Sequence, residues 1–290
     1  MPPLPFSVVI VTHNHAEYLD CCLASLIPET NQQGGEIIVI DNLSSDNSVG
    51  IIQKYPQVKL HINQKPRGFA ANYNLGMAYA QGKYLLLLNP DTEVNAGALK
   101  ILFEFMENNQ KVGICGSQLT FPDGTIQHSA RRFPNLGTVI VRRTPLRIFL
   151  KNSKTNQQHL MVDMDYAKPQ NVDWLLGACL MVRREAIEQV GPLDEGYFLY
   201  VEDIDWAKRM HHSGWDVYYV PEAKIIHHHL AVSDKRFFSR RMWIHIQSMI
   251  RYARKHIIRS VPVLSIQGDR TEIWQHTRAN LLEYNSKSGL

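Results

Sequence analysis

The stretch Phe6-Ser-Val-Val-Ile-Val-Thr-His-Asn14, followed by Glu36-Ile-Ile-Val-Ile-Asp41, decides how this chain folds. Each is a short, nearly unbroken run of apolar and β-branched residues, the composition of a strand covered on both faces. Between them Ala16 to Ile27 has helical periodicity, which makes strand, helix and strand one βαβ unit. The alternation continues with a helix near Asp46 to Tyr55 that takes Ser44 or Ser45 as N-cap, and a strand at Val58 to Ile62. A helix at Phe69 to Ala80, stopped by Gly82, and a strand at Lys83 to Leu88 follow. Such alternation predicts a mostly parallel, doubly wound α/β sheet with helices on both faces, and sheets of that kind bind ligands at the carboxyl ends of their strands.

A helix around Ala96 to Asn108 and a strand at Val112 to Cys115 complete this part, and a hairpin turned at Asp123-Gly124 changes the pattern. Arg131 to Gln170 is a polar stretch without clear periodicity, placed where it could contact an acceptor. Regular structure resumes at Val172 to Val182. It continues with a helix from about Glu202 to His212 ended by Gly214, a strand at Asp216 to Val220 and another near Lys224 to Ile226. Neither a repeat nor a clean linker interrupts the chain. The expectation is one domain over residues 1–230, with a nucleotide-binding half to about 118 and an acceptor half over 119–230, then a C-terminal amphipathic helix and polar tail over 231–290.

With 290 residues, 44% hydrophobic and 20% charged, the chain has the composition of a globular protein with a substantial core. Its longest apolar runs, Val8 to Val11 and Leu85 to Leu88, fall far short of the roughly 18 residues that cross a bilayer. No basic, long apolar leader follows Met1, so a cytoplasmic location is expected. Cys21, Cys22, Cys115 and Cys179 lack metal-ligand spacing and read as buried, reduced thiols. A net charge of +4 gives no argument for nucleic acid as a partner. From Lys235 to Arg259, however, eight Lys or Arg alternate with Phe237, Phe238, Met242, Trp243, Ile246, Met249, Ile250 and Tyr252. That is a basic amphipathic helix, which either packs on its own domain with a solvated basic face or lies against an anionic membrane surface.

Three acidic positions fall just after strands or ahead of a helix: Asp41, Asp91 and the pair Glu202/Asp203. Leu85 to Leu88 delivers a buried strand into the Pro-stiffened turn Asn89-Pro90-Asp91, so that Asn89 and Asp91 can present hard oxygen ligands suited to Mg2+ or Mn2+. A divalent ion there would neutralise a diphosphate leaving group. Read alone, the same residues also make an ordinary turn in which Asp91 caps the next helix.

Four segments in order narrow the choice: Phe6 to Asn14, Ile38-Val-Ile-Asp-Asn-Leu-Ser-Ser-Asp46, Arg67-Gly-Phe-Ala-Ala-Asn-Tyr-Asn-Leu-Gly76 and Leu88-Asn-Pro-Asp91. Together they resemble the family 2 glycosyltransferases of GT-A fold, and most closely their rhamnosyltransferase-like branch, over roughly Phe6 to His256. The resemblance implies a GT-A-like (Rossmann-related) doubly wound mixed sheet in one domain with a C-terminal helical extension. It also implies that Thr12, Asn14 and Glu17 line the base and ribose pocket, that Asp41 accepts from the pyrimidine ring and that Asp46 supports that loop. Arg67 and Gly68 would open a helix whose free amides and guanidinium meet phosphate, with Asn72 facing the same cleft and Asn89 beside the metal. Asn14 and Asp46 could equally be helix caps, and Asp41 a turn residue.

In the second half the resemblance places Trp174 to Ala178 on the floor of the sugar pocket, with Gly177 allowing close approach, although Trp174 could be a buried structural residue. Tyr197-Phe-Leu-Tyr-Val-Glu-Asp-Ile-Asp-Trp206 resembles the family's Glu-Asp motif, which makes Asp203 the base and Glu202 a contact for acceptor hydroxyls. A place in the first helical turn favours the ionised form that a base requires. Asp205 is expected to face outward or cap the helix. Of His227-His228-His229, His227 is the first choice to complete the metal or diphosphate site, since His227 and His229 project to one side of an extended chain.

The function so implied is an inverting, metal-dependent transfer of a sugar, rhamnose from dTDP-rhamnose or another sugar from UDP or GDP, to a glycan or lipid-linked glycan. The basic helix would hold the enzyme peripherally at the membrane surface. A sugar nucleotidyltransferase needs a Gly-rich loop where Thr12-His-Asn-His15 stands, and a dinucleotide-dependent dehydrogenase fails for the same reason. A carbohydrate-binding or scaffold protein of this fold predicts the loss of Asp91 or Asp203, and both are present.

Overall fold

The structure, a computed structural model, describes residues 4–134, 154–228, 240–258 and 278–279. Strands β1 (Phe6–Thr12), β2 (Glu36–Asp41), β3 (Val58–Ile62) and β4 (Tyr84–Leu88) pair in parallel in the order β3-β2-β1-β4. Val9 and Val11 of β1 enter one core cluster while Val8 and Ile10 enter the other, so alternate side chains of one strand are buried on opposite faces. That is why these strands read as unbroken apolar runs. Helices α1 (Ala16–Gln33), α2 (Ser48–Ile52) and α4 (Ala98–Asn108) cover the Val8 face, and α3 (Phe69–Tyr79) covers the Val9 face. Gly76 lets α3 approach closely, because a Cβ there would overlap Val9 Cγ1.

Past β4 the sheet becomes mixed. β11 (Cys179–Arg183) runs antiparallel to both β4 and β6 (Val112–Thr120), β6 pairs in parallel with β12 (Asp216–His227), and β5 (Thr92–Val94) closes the edge antiparallel to β12. Short strands β7 (Ile126–Gln127) and β9 (Gln170–Asn171) add to it, and β8 (Ala130–Arg131) pairs with β10 (Trp174–Leu175) separately. Helix α5 (Lys154–His159) lies between β8 and β9 in the chain. Helices α6 (Arg184–Val190) and α7 (Glu202–His212) join α3 on the Val9 face. The C-terminal helix α8 (Arg240–Ala253) continues as a wider π-helical turn over Arg254–Ile258 and is anchored by the fully buried Tyr252.

Several expectations are corrected. The chain from Asp216 to His227 is one strand, not two, and its register slips between Val220 and Lys224, where Pro221 cannot donate to the ladder. Helix α1 runs beyond the expected Ala16 to Ile27, through Pro28, and ends at left-handed Gly34. Neither Ser44 nor Ser45 caps α2; Asn47 stands there without a side-chain cap, and both serines bond to the Asn14 loop instead. Helix α6 was not anticipated. Cys21 is exposed, while the other three thiols are buried. His229, residues 135–153 and most of the tail past residue 258 lie outside the described residues.

Candidate active site

The register of the sheet brings the chemistry-bearing loops together. Thr12 pairs with Asp41 at the carboxyl ends of β1 and β2, and Leu88 pairs with Cys179, so Asn89 to Asp91 leave the same edge at which Gly177 and Ala178 arrive. The Asn89 N–H donates to the Ala178 carbonyl at 2.9 Å, which fixes the two segments side by side. His227 ends β12 opposite Thr92 and therefore also stands beside Asp91.

The first two loops are cross-braced. Asn14 adopts φ 59° and its Oδ1 accepts from the Ser45 N–H at 2.7 Å and the Asp46 N–H at 3.3 Å. Asp46 returns the bond through Oδ2 to the Ala16 N–H at 2.9 Å and takes Ser48 Oγ at 2.6 Å. Partial burial opposes its charge, but these donors outweigh it and hold the carboxyl below its ordinary range. Thr12, expected in the base and ribose pocket, is fully buried, with its hydroxyl on His15 Nδ1 at 3.3 Å and its carbonyl accepting from Asn42 N–H. Thr12 and the Oδ1 of Asn14 thus brace the loop, while Asn14 itself stays exposed. Glu17 is exposed in the first turn of α1. Asp41 differs from its neighbours: Oδ2 accepts from the Ser44 N–H at 2.9 Å, while the buried Oδ1 has no hydrogen-bond partner among the described residues. An orphaned buried acceptor at a strand end is a place for a ligand's donor.

The Arg67-Gly68 turn is held by amides that the sequence reading missed. Asn42 accepts from the Arg67 N–H at 2.9 Å and donates to the Arg67 carbonyl at 3.1 Å, and Asn63 donates to both Asn42 and Asn72. Asn72, expected to face the cleft, is buried, with its amide donating to the Arg67 and Gly68 carbonyls. The Phe69 N–H, expected to be free for phosphate, is bonded to the Phe198 carbonyl at 2.8 Å, and Gly68 packs so tightly there that a Cβ would lie 3.0 Å from that oxygen. The position of Asn42, directly after Asp41, was the available signal.

Asp91 Oδ1 lies 3.4 Å from His227 Nε2, and both side chains are nearly buried. Burial opposes the charge of Asp91, but the His227 contact outweighs it and keeps the carboxyl below its ordinary range. His227 Nδ1 is 2.8 Å from Gln127 Oε1, which makes Nδ1 a donor; in the imidazolium the Nε2–H is what holds Asp91, and in the neutral ring an Nε2 lone pair faces the carboxylate instead. Two electron-rich atoms so placed fit a divalent cation. Among the described residues no group of three or more His, Cys, Asp and Glu side chains surrounds one point, so further coordination must come from ligand or water. Asn89 lies beside this pair and accepts from Tyr73 Oη through Oδ1 at 3.4 Å. His228 pairs instead with Glu93, at 2.6 Å.

The last component is the turn into α7. Tyr200 and Val201 adopt φ 69° and 76°, strained values for residues with side chains and most of all for the β-branched valine. They deliver Glu202 and Asp203 to the helix start. Asp203 keeps part of its surface open and accepts from the Ile204 N–H at 2.8 Å. It sits next to Gly177, where an added Cβ would meet Asp203 Oδ2 at 3.7 Å, so Gly177 gives a contact of ordinary closeness. The helix start does not favour the charge as expected. Burial pushes the Asp203 carboxyl up to about 6, only partly offset by the N–H groups of Ile204 and Gly177 and by the charge of Arg131. Glu202 is pushed well above its ordinary range by burial and by Asp203, and its buried Oε2 has no hydrogen-bond partner among the described residues. Trp174 is structural, buried with its indole N–H on the Arg132 carbonyl at 3.0 Å. Asp205, expected outside, is fully buried and bonded to Arg209 and His256 at 2.8 and 2.7 Å.

A mixed α/β sheet with paired acidic turns at its carboxyl edge defines a class, and residues 7–191 match the model of Glycosyl transferase family 2, to which the chain therefore belongs. It is a glycosyltransferase of the rhamnosyltransferase-like branch. The chain is 32% identical over 233 residues to the N-acetylglucosaminyl-diphospho-decaprenol L-rhamnosyltransferase of Mycobacterium tuberculosis, covering 76% of this chain and 75% of the relative. It is 30% identical over 264 residues to the rhamnosyltransferase WbbL of Escherichia coli K12, covering 87% and 94%. The fold resembles that of GalNAc-T7, crystallised with UDP, GalNAc and Mn2+, with TM-score 0.58 and 20% identity over 78% of this chain and 44% of that one. It also resembles S. aureus TarS, with TM-score 0.50 and 18% identity over 74% of this chain and 60% of the other.

Proposed function

We propose that this glycosyltransferase moves rhamnose from dTDP-rhamnose to a hydroxyl of a lipid-linked glycan, with inversion, in cell-wall or polysaccharide assembly. The observation that supports the reading is the chain of contacts from Asp203 through Gly177 and Ala178 to Asn89, which links the Asp203 carboxyl to the turn that carries Asp91. Asp41 Oδ1 takes a donor of the base, Asn14 and Asp46 hold that loop, and the Arg67 guanidinium meets the diphosphate. Asp91 and His227 would hold Mg2+ or Mn2+, which when bound neutralises charge developing on the leaving diphosphate. Asp203 takes the proton of the acceptor hydroxyl as that oxygen attacks the anomeric carbon. The relatives' names, a rhamnosyltransferase acting on a diphospho-decaprenol acceptor and a second rhamnosyltransferase, support the donor and acceptor classes.

Calorimetric titration with dTDP, UDP and GDP, each with and without Mn2+, tests the site. Mn2+-dependent binding of dTDP at least tenfold tighter than of the others is expected, and no binding of any nucleotide would overturn the reading. An acceptor with a lipid tail calls for a surface, and Trp243, Ile250 and Ile258 stand 55%, 46% and 73% exposed along one side of the C-terminal helix. No helix among the described residues is long and apolar enough to cross a membrane. Co-sedimentation with vesicles containing anionic lipid is expected to fall several-fold for the Trp243→Ala/Ile250→Ala double variant. Unchanged binding would remove the membrane role of this face.

A further inference from the structure

The catalytic turn does not support itself. Tyr200 and Val201 are both in the left-handed region, and Val201, at the cap position of α7, supplies no side-chain cap. On one side the turn leans on α3, through the Phe69 N–H and Gly68 against Phe198. On the other it is held by residues of the C-terminal helix that have no part in the site described above. Ser248, buried in α8, donates to the Leu199 carbonyl at 3.0 Å. The His245 ring stacks on Tyr200 with centroids 4.9 Å apart and planes at 27°. His256 donates from Nε2 to Asp205 Oδ1 at 2.7 Å, and Lys255 reaches the same oxygen at 2.8 Å. Arg251 and Lys255 bind Asp194 at 2.8 and 2.9 Å, and a Cβ on Gly196 would overlap the Arg251 guanidinium. Contacts from α8 and the turn after it thus bracket the segment Asp194 to Asp205 on both sides of Asp203.

We propose that the C-terminal helix is a positioning element of catalysis: Ser248 on Leu199 and His256 on Asp205 hold the Leu199–Asp203 turn so that the base points at the acceptor. The inference rests on the reading of Asp203 as base. A left-handed valine persists only when its surroundings over-determine it. Releasing one hold lets the turn relax and moves a carboxylate whose work depends on placement to within about an ångström. The loops after β1, β2 and β4 that carry Asn14, Asp41 and Asp91 are not among these contacts, so the damage falls on kcat.

In the full-length protein, His256→Leu is expected to lower kcat at least tenfold with donor KM and dTDP–Mn2+ affinity unchanged. His256→Gln, whose amide N–H stands in for Nε2–H, recovers most of the loss. Ser248→Ala, a milder change, lowers kcat several-fold. Hydrogen exchange reads the same hold without an acceptor: both His256→Leu and Ser248→Ala accelerate exchange at Leu199 to Asp203 and leave Asp41 to Ser48 unaffected. Unchanged exchange at the turn, or a loss shared equally between kcat and nucleotide affinity, overturns the proposal. Failure of the wild type to bind any nucleoside diphosphate would instead overturn the function proposed above, while the exchange result still decides the hold.

Discussion

Asp203→Asn is expected to lower kcat by about 10³-fold or more, within the 10²–10⁴ range of a lost general base, with dTDP–Mn2+ affinity held within about twofold. The amide keeps the shape of the carboxyl and can still accept from the Ile204 N–H, so what is removed is the capacity to take a proton. Stability is expected to stay level or rise. Burial raises the Asp203 carboxyl to about 6, so its contribution to stability is complete only at low pH and is lost as pH rises from the unfolded value through about 6. Removing the charge relieves that cost at neutral pH, a trade of stability for function. The wild type should show the matching activity profile, its rate falling as pH drops through about 6 because the protonated base cannot accept. Steady-state kinetics, calorimetry and thermal melts on one preparation separate these effects. Retained turnover in Asp203→Asn would end the base assignment, and a flat rate from pH 5 to 8 would place the proton acceptor elsewhere.

That burial raises the Asp203 carboxyl to about 6 was not legible in the sequence. A first-turn helical position argues for an easily ionised carboxylate, and the argument fails because Glu202 and Asp203 are carried inward together by a strained turn. Neither burial nor left-handed φ at Tyr200 and Val201 has a local signature. The parallel half of the sheet, by contrast, was readable almost residue by residue, since strands buried on both faces leave uninterrupted apolar runs. The antiparallel half was less so, because β12 crosses Pro221 with a register slip that looks like a break. In the site, motif positions were legible and the direction of their side chains was not. Thr12 and Asn72 lie at the expected edge but are buried with polar atoms bonded within the protein, and Asn14, though exposed, spends its Oδ1 on the neighbouring loop. Asp205 shows the same limit from the other side. A third acid in a helix start reads as surface, yet it is a buried anchor for residues 50 and more positions away, a pairing that no local pattern announces.

Asp91→Ala is expected to abolish the Mn2+ dependence of nucleotide binding and to weaken dTDP by about 100-fold or more, beyond the 10–100-fold that a residue merely supporting a metal ligand costs. Asp91 and His227 are the two side chains that converge here, 3.4 Å apart, with Gln127 setting the histidine tautomer. Two protein ligands are few for a hard cation, which normally takes about six oxygen or nitrogen neighbours, so the diphosphate and water must supply the rest. The ion and the nucleotide should therefore each bind weakly alone and tightly together, and by linkage the factor by which Mn2+ strengthens dTDP equals the factor by which dTDP strengthens Mn2+. In Asp91→Ala both factors should collapse toward one, while affinity for thymidine, which lacks the diphosphate, stays unchanged because Asp41 and its loop are intact. A metal titration followed with and without dTDP, repeated on the variant, measures all of these. If Mn2+ still strengthened dTDP binding to Asp91→Ala by the wild-type factor, the cation would be held elsewhere, and the lone pair of His227 would have to be facing Asp91 for a reason other than metal.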